Sequence, residues 1–348
     1  MFSGLEGRMR KTEKPEGETF SHGMVRVSLG SAILLGLMRG RLDAEPTTIY
    51  LLTYRRGRCT ANCGFCPQAR GCTGRADMLS RVVWPPFPAA NVIERIGKAY
   101  IDGRVKRVCI QALNHPDILE EIISLVRMIR LTSSVPISVS CQPLQKEEMV
   151  RLRETGVNRV SIALDASTRD IFNEVKGTSA GGPYTWDGHM RALKGAVEVF
   201  GEGSVTTHLI VGLGESEEEA VRTIQLCHDM GVYPALFAFT PIPGTRMAKR
   251  PSPPLEKYRR IQVAQYLITH NLARYADMTF EEGRLRDFGV PRNLLLKIVE
   301  SGRPFMTTGC PGCNRPYYNE RPGGPLYNYP RKPKLEEVTE IKRQLGLQ

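Results

Sequence analysis

Six apolar, extended runs alternate with helical segments along this chain, and that alternation limits the fold more than any other feature. The runs are TTIYLLTY (47–54), VKRVCIQAL (105–113), VPISVSC (135–141), VNRVSIALD (157–165), SVTTHLIVGLG (204–214) and YPALFAFTPI (233–242). Between them PDILEEIISLVRMIR, KEEMVRLRETG, HMRALKGAVEVFG and SEEEAVRTIQLCHDMG carry helical patterning, several closing on glycine. Parallel strands need a long crossover, so the alternation predicts βα units arranged as a partial barrel or a doubly wound sheet. The period of two sorts the side chains within each strand. It sets Cys109 and Gln111 opposite Val108 and Ile110, and Ser161, Ala163 and Asp165 opposite Val160, Ile162 and Leu164. The apolar sets would pack on the helices, and the polar sets would line an interior that binds ligands toward the carboxyl ends of the strands.

Three regions follow: an N-terminal extension (1–45), a core (46–250) and a C-terminal part (251–348). The extension runs from the polar RMRKTEKPEGETFSHG to LGSAILLGLM at 29–38. That apolar stretch falls short of the roughly 20 residues of a membrane span and reads as a buried helix. With no secretory pattern ahead of it, a cytoplasmic protein is expected. The C-terminal part opens on a proline-flagged helix and ends in a loop-rich tail, TTGCPGCNRPYYNERPGGPLYNYPRKP, whose Cys-x-x-Cys suggests a tie to metal. A net charge of +12 favours an acidic partner: a nucleic acid, an acidic carrier protein or an anionic substrate.

Nine cysteines without an export signal point to metal or catalytic thiols instead of disulfides. Four of them crowd into RCTANCGFCPQARGC (58–72). Cys59, Cys63 and Cys66 form Cys-x3-Cys-x2-Cys after the first strand, with the aromatic Phe65 just before the third thiol. Three thiolates on one short loop can hold three irons of a cubane cluster and leave the fourth iron open to a small ligand. A structural zinc ion would instead want four closed ligands, commonly two Cys-x2-Cys pairs. Cys227 falls inside a helical segment and reads as a small core residue.

This motif, its aromatic and its place after the first strand resemble the radical S-adenosylmethionine superfamily, which implies a partial (β/α)6 barrel of the TIM type. FCPQ (65–68), VCIQAL (108–113), SVSC (138–141) and IVGLGES (210–216) look like biotin synthase in the same order. The resemblance implies S-adenosylmethionine on the 4Fe-4S cluster of Cys59, Cys63 and Cys66, beside Phe65. Asp165 would bind the ribose, the alternative being a helix cap before ASTRD. Gly212 and Gly214 of IVGLGE would approach the adenosyl part. No catalytic residue beyond the cluster ligands is implied, and His208 reads as a wall residue.

Biotin synthase carries a second cluster on three strand cysteines and an arginine. Cys109 and Cys141 match two of those positions, but Thr206 stands at the third, which argues against biotin as product. Cys310 and Cys313 could fold back over the barrel mouth and join Cys109 and Cys141 in an auxiliary 4Fe-4S site. Cys72 is a rival fourth ligand, and a small zinc knuckle is the alternative for the tail pair. A biotin-synthase-like chain ending in GCPGCNRPYYNERPGGPLYNYP looks like the archaeal two-protein lipoyl synthases.

That likeness implies a sulfurtransferase that inserts sulfur from the auxiliary cluster into a protein-bound octanoyl or mercapto-octanoyl chain. The partners implied are an acidic lipoyl-carrier protein (an H protein or a lipoyl domain), a second related radical subunit and an electron donor such as ferredoxin. Membrane and nucleic acid are not expected. The competing functions are a divergent biotin-synthase-like insertion into a free small molecule, a radical RNA-modifying enzyme, and a non-enzymatic metal scaffold.

Overall fold

A computed structural model describes residues 23–321 and 323–347. All six expected strands form, as Thr48–Thr53, Arg107–Gln111, Ile137–Cys141, Arg159–Ile162, Val205–Val211 and Val232–Ala238, here the first to sixth strands. They pair in parallel and in chain order. Helices Ala89–Ile101, Ile118–Thr132, Lys146–Glu154, Trp186–Phe200, Glu217–Asp229 and Leu255–Thr269 follow the strands in turn. A doubly wound sheet would reverse its strand order midway; sequential order curls the sheet into a partial barrel instead.

Side-chain alternation builds the layers. Val108, Ile110, Ile137, Val139, Val160 and Ile162 point outward under the helices and are at most 1% exposed. The second strand alternates half-buried and buried positions along its length, as a strand does when one face meets a packed layer and the other a cavity. Helix starts are held locally: Ser216 and Glu219 exchange hydrogen bonds in a capping box, and Thr168 and Thr185 cap the helices that begin at Arg169 and Trp186.

The segment before the first strand also joins the sheet. Met24–Val27 pairs antiparallel with the first strand, and Pro86–Pro88 pairs antiparallel with Met24–Val27 in turn. These strands are too short for a period of two to register in the sequence. The apolar stretch at 29–38 becomes the short helix Leu29–Leu34, whose Ala32 and Leu34 are buried. The remainder of the extension, 1–22, lies outside the described residues. No helix among the described residues is long and apolar enough to cross a membrane.

The sixth strand pairs only with the fifth, so its outer edge is open, while the first strand is paired on both sides, by the second strand and by Met24–Val27. The tail covers that edge and reaches across to the start of the first strand. On one side Leu236 N donates to Thr308 Oγ1 at 2.8 Å and Asn319 Nδ2 to Thr240 Oγ1 at 3.3 Å. On the other, Thr47 N donates to Asn314 Oδ1 at 2.9 Å, Thr47 Oγ1 to Gly312 O at 2.5 Å and Ser80 Oγ to Tyr318 O at 3.2 Å. The sequence suggested a cover over the barrel mouth; the tail is instead a side wall. It runs from the amino end of the first strand, at Thr47, to the residues just past the sixth strand, at Thr240. Open sheet edges carry unpaired backbone groups, and a covering segment relieves that liability.

Arg259 pins the wall from behind. It is 1% exposed, donates to Tyr327 O at 2.6 Å, to Gln262 Oε1 at 2.7 Å and to Leu326 O, and lies over the rings of Phe305 and Tyr329. Replacing it takes the donor from Leu326 O and Gln262 Oε1, while Tyr327 O keeps its bond from Gln262 Nε2 at 2.9 Å. Arg259→Met is expected to lower the unfolding free energy by about 2–5 kcal/mol, since each stranded buried acceptor costs about 1–3 kcal/mol. Denaturant melts read the loss, and limited proteolysis should open the chain within 306–333; an unchanged midpoint with an intact tail would refute the pin.

Candidate functional site

The inward faces of the strands enclose a cavity of about 270 Å³, and seven of the nine cysteines border it. Six of them form two groups, and the seventh, Cys141, borders the cavity apart from both.

The first group sits on the loop that leaves the first strand. Backbone bonds shape this loop: Cys59 N donates to Gln68 O at 3.0 Å, Cys66 N to Cys63 O at 3.0 Å and Gly64 N to Val175 O at 2.7 Å. Gln68 fastens it further by donating to Ala76 O and Met78 O. Asn114 N donates to Cys59 Sγ at 3.2 Å. Burial pushes the Cys63 thiol up to about 12, against the opposing pull of Lys176, and burial together with Cys63 raises Cys66 as well. Thiols held this way keep their protons at neutral pH until a metal displaces them.

The second group joins Cys109 of the second strand to Cys310 and Cys313 of the tail. Burial raises the Cys109 thiol, and the neighbouring Cys310 and Cys313 raise it further. Polar groups surround the set: Gln111 Nε2 donates to Cys109 Sγ at 3.2 Å, Tyr50 Oη lies 3.1 Å from Cys313 Sγ and Ser138 Oγ lies 3.3 Å from Cys310 Sγ.

Cys141 does not join them. Register aligns Cys109 with Ser138 and Gln111 with Ser140, so the inward positions of the third strand are serines. Cys141 shares the outward side with Ile137 and Val139, aligned with Ile162, and packs in the hydrophobic layer, with Glu148 as its charged neighbour. Cys72 also stands apart: its buried sulfur accepts from Gly74 N at 3.3 Å, and it does not line the cavity. Cys227 is fully buried in helix Glu217–Asp229.

Among the described residues no three His, Cys, Asp or Glu side chains converge on one point as a single metal ion requires. Three thiols in each of two groups are a donor set of the kind iron-sulfur clusters use, with sulfurs on separate irons.

Asp165 faces the cavity in a left-handed backbone conformation, φ 66°, directly after the fourth strand. It is no helix cap, because Thr168 caps the next helix. Its carboxylate accepts from Lys176 Nζ at 2.7 Å, and that ammonium also donates to Ala163 O at 2.6 Å. Both residues are about 5% exposed or close to it, at 6% and 4%. Phe65 lines the same space, whereas Gly212 and Gly214 do not. The turn they form is built on Glu215: its carboxylate accepts from Gly212 N at 2.8 Å and Leu213 N at 2.9 Å, and Lys257 holds it at 2.9 Å. The positive φ values, 108° and 124°, are what that turn requires of glycine.

Lys176 and Arg315 escaped the sequence reading. Each is a single basic residue outside any motif, although Arg315 lies close after Cys313. Arg315 comes from the tail, stacks its guanidinium 3.8 Å from the Phe237 ring centre and leaves Nη2 without a partner beside the cavity. His208 and Thr206 face inward as the period predicted, His208 Nε2 lying 3.2 Å from Ser161 Oγ. Between the thiol groups, Leu52, Trp84 and Leu113 form an apolar wall that touches Cys59 as well as Cys109 and Cys313.

Comparison with known proteins agrees with this geometry. Residues 55–227 match the profile of the Radical SAM superfamily. Biotin synthase of Desulforudis audaxviator is 27% identical over 241 residues, 68% of this chain and 69% of that protein. Biotin synthase of Corynebacterium glutamicum (strain R) is 27% identical over 268 residues, 75% of each chain. Among solved structures, methylornithine synthase superposes with a TM-score of 0.50 at 14% identity, covering 65% of this chain and 63% of that one, which speaks to the fold alone.

Two buried imidazoles make the site sensitive to acid. Burial, then Lys176, lowers His189 to about 2, and burial lowers His208 to about 4. Both are therefore neutral in the fold at pH 7. An unfolded chain protonates its histidines near 6.5, so stability is complete above that value and drains away as pH falls toward the folded values. Denaturant melts of the metal-free protein should weaken from pH 7 to pH 5, and His189→Gln should flatten the decline; an equal slope in wild type and variant would contradict this.

Proposed function

We propose that this chain, which matches the radical SAM superfamily and has biotin synthases among its relatives, is a radical SAM enzyme that inserts sulfur into an unactivated C–H bond of a carrier-bound octanoyl or mercapto-octanoyl chain. The observation that carries the reading is the placement of two thiol groups around one cavity with the wall of Leu52, Trp84 and Leu113 touching both. An unbranched alkyl chain can lie on such a wall without stranding a polar group.

The comparisons imply one 4Fe-4S cluster and S-adenosylmethionine, and the motif thiols Cys59, Cys63 and Cys66 would hold that cluster. When bound, these groups would supply a carbon radical able to take a hydrogen atom from the chain, and a second cluster on Cys109, Cys310 and Cys313 would supply sulfur. The protein's own residues do the rest. Asp165 would receive the ribose hydroxyls, with Lys176 holding its carboxylate in place. Phe237 and Tyr318, stacked edge to face, close the side of the cavity next to Arg315 and keep water from the reacting carbon. An acidic lipoyl carrier, a partner radical subunit and a ferredoxin-like donor belong to this proposal.

One observation favours a second reading, in which the substrate is a free small acid. Arg315 Nη2 has no partner in the cavity wall, and a substrate carboxylate would give it one.

The test is anaerobic reconstitution with octanoylated and 8-mercapto-octanoylated carrier peptides, cofactor and reductant, read by mass. A gain of one sulfur on either peptide is expected; no gain on both, with gain on a free acid such as the biotin precursor, would overturn the carrier reading. The double variant Cys310→Ala with Cys313→Ala should lose about half the iron and all sulfur transfer, yet still cleave the cofactor. Loss of cofactor cleavage as well would show that the two thiol groups do not serve separate clusters.

A further inference from the structure

The excess positive charge of this protein has a definite address. Residues 54–76 contain five arginines, and 241–250 contain Arg246, Lys249 and Arg250; neither stretch contains an Asp or Glu. The fold stitches the two loops together, since Thr73 N donates to Gly244 O at 3.0 Å and Met247 N to Gly64 O at 3.0 Å. Both loops leave carboxyl ends of strands and border the cavity, through Cys63, Cys66 and Pro67 on one and the adjoining Thr240 on the other. The basic residues therefore gather at the end of the cavity nearest the first thiol group.

Elsewhere the surface carries ion pairs such as Lys146–Glu198, Arg151–Glu120, Arg222–Glu218 and Arg274–Asp229. On these loops only Arg75 has a carboxylate partner among the described residues, Asp77. Three of the others bond neutral carbonyls: Arg58 to Pro67 O and Arg70 to Gly181 O, each at 2.5 Å, and Arg246 to Glu174 O. Those bonds hold the guanidinium groups in place without neutralising them. Glu121, the acid beside Arg55, is engaged by His115 at 2.9 Å. Arg56, Arg70, Arg246 and Lys249 are exposed.

We propose that this rim is the docking face for an acidic protein domain that delivers the substrate chain into the cavity, a proposal that rests on the carrier-bound reading above. A nucleic acid would fit the charge, but single-strand binders interleave bases with exposed aromatic rings. Here the loops hold only Tyr54, which lies under Arg26, and Phe65, which lines the cavity. Fixed guanidinium groups without stacking rings suit carboxylates on a folded surface.

The test uses the protein with its clusters loaded and the double variant Arg56→Glu with Lys249→Glu, neither residue being part of the cavity. Three probes are offered: an unacylated acidic lipoyl-carrier domain, transfer RNA, and a short octanoyl-lysine peptide without a carrier domain. The carrier domain should bind wild type with an affinity that falls as salt rises, and the variant at least about tenfold more weakly. Iron content and substrate-free cofactor cleavage should match wild type, which shows that the variant is folded and loaded. The proposal is overturned if wild type does not bind the carrier domain, if the variant binds it equally well, or if transfer RNA binds wild type more tightly and is the probe the variant loses. Sulfur transfer to the short peptide is scored separately, so a carrier domain that docks as expected while no acyl chain gains sulfur would leave the docking face standing and remove the reaction.

Discussion

Everything in this protein depends on the two-residue alternation of six parallel strands curled around one interior. Outward positions take Val, Ile and Leu and bind the helices, while inward positions are freed from that duty and carry thiols, hydroxyls, an imidazole and a carboxylate. Shifting one strand by a single residue would exchange its two faces. The strands thus tie the stability of the helical layer to the chemistry inside it, and neither can be altered by register without loss of the other.

The interior keeps its charges in company. Lys176 and Asp165 are paired at 2.7 Å deep in the wall, and Arg315 spreads its charge over Phe237. A lone buried ion would cost far more than either arrangement, which is why polar function inside a barrel comes as partnered sets. The left-handed Asp165 fits the same pattern: its backbone N accepts no strain relief from glycine, yet it donates to His208 O at 2.7 Å while Asp165 O takes the N–H of Ile210 at 2.7 Å. Bonds to the fifth strand on both sides hold the conformation that aims the carboxylate.

Much of this was legible beforehand. The six strands and the inward facing of Cys109, Ser161 and Asp165 follow from periodicity, because each strand is long enough to show its two faces, and the family resemblance chose the partial barrel over the doubly wound sheet. What escaped reading depended on pairing between segments. Cys141 shares a short strand with Ser138, and nothing within SVSC says which parity matches Cys109; only the alignment of the second and third strands decides it. Glu215 takes the amide of Gly212 that a ligand was expected to approach, a bond that exists only once the turn has closed. Lys176 acts through a contact with Asp165 that no spacing rule announces. The tail was expected over the mouth because its ends were unknown, and the open strand edge it covers is a property of the finished sheet.

The side wall also imposes an order on manufacture. Cys59, Cys63 and Cys66 leave the ribosome together, and the strands beside them come next. The second thiol group cannot exist until Cys310 and Cys313 have been translated and have settled against the open edge of the sixth strand and the start of the first. On the function proposed above, the first thiol group would be complete on a growing chain, whereas the second would have to wait for the last segment to arrive.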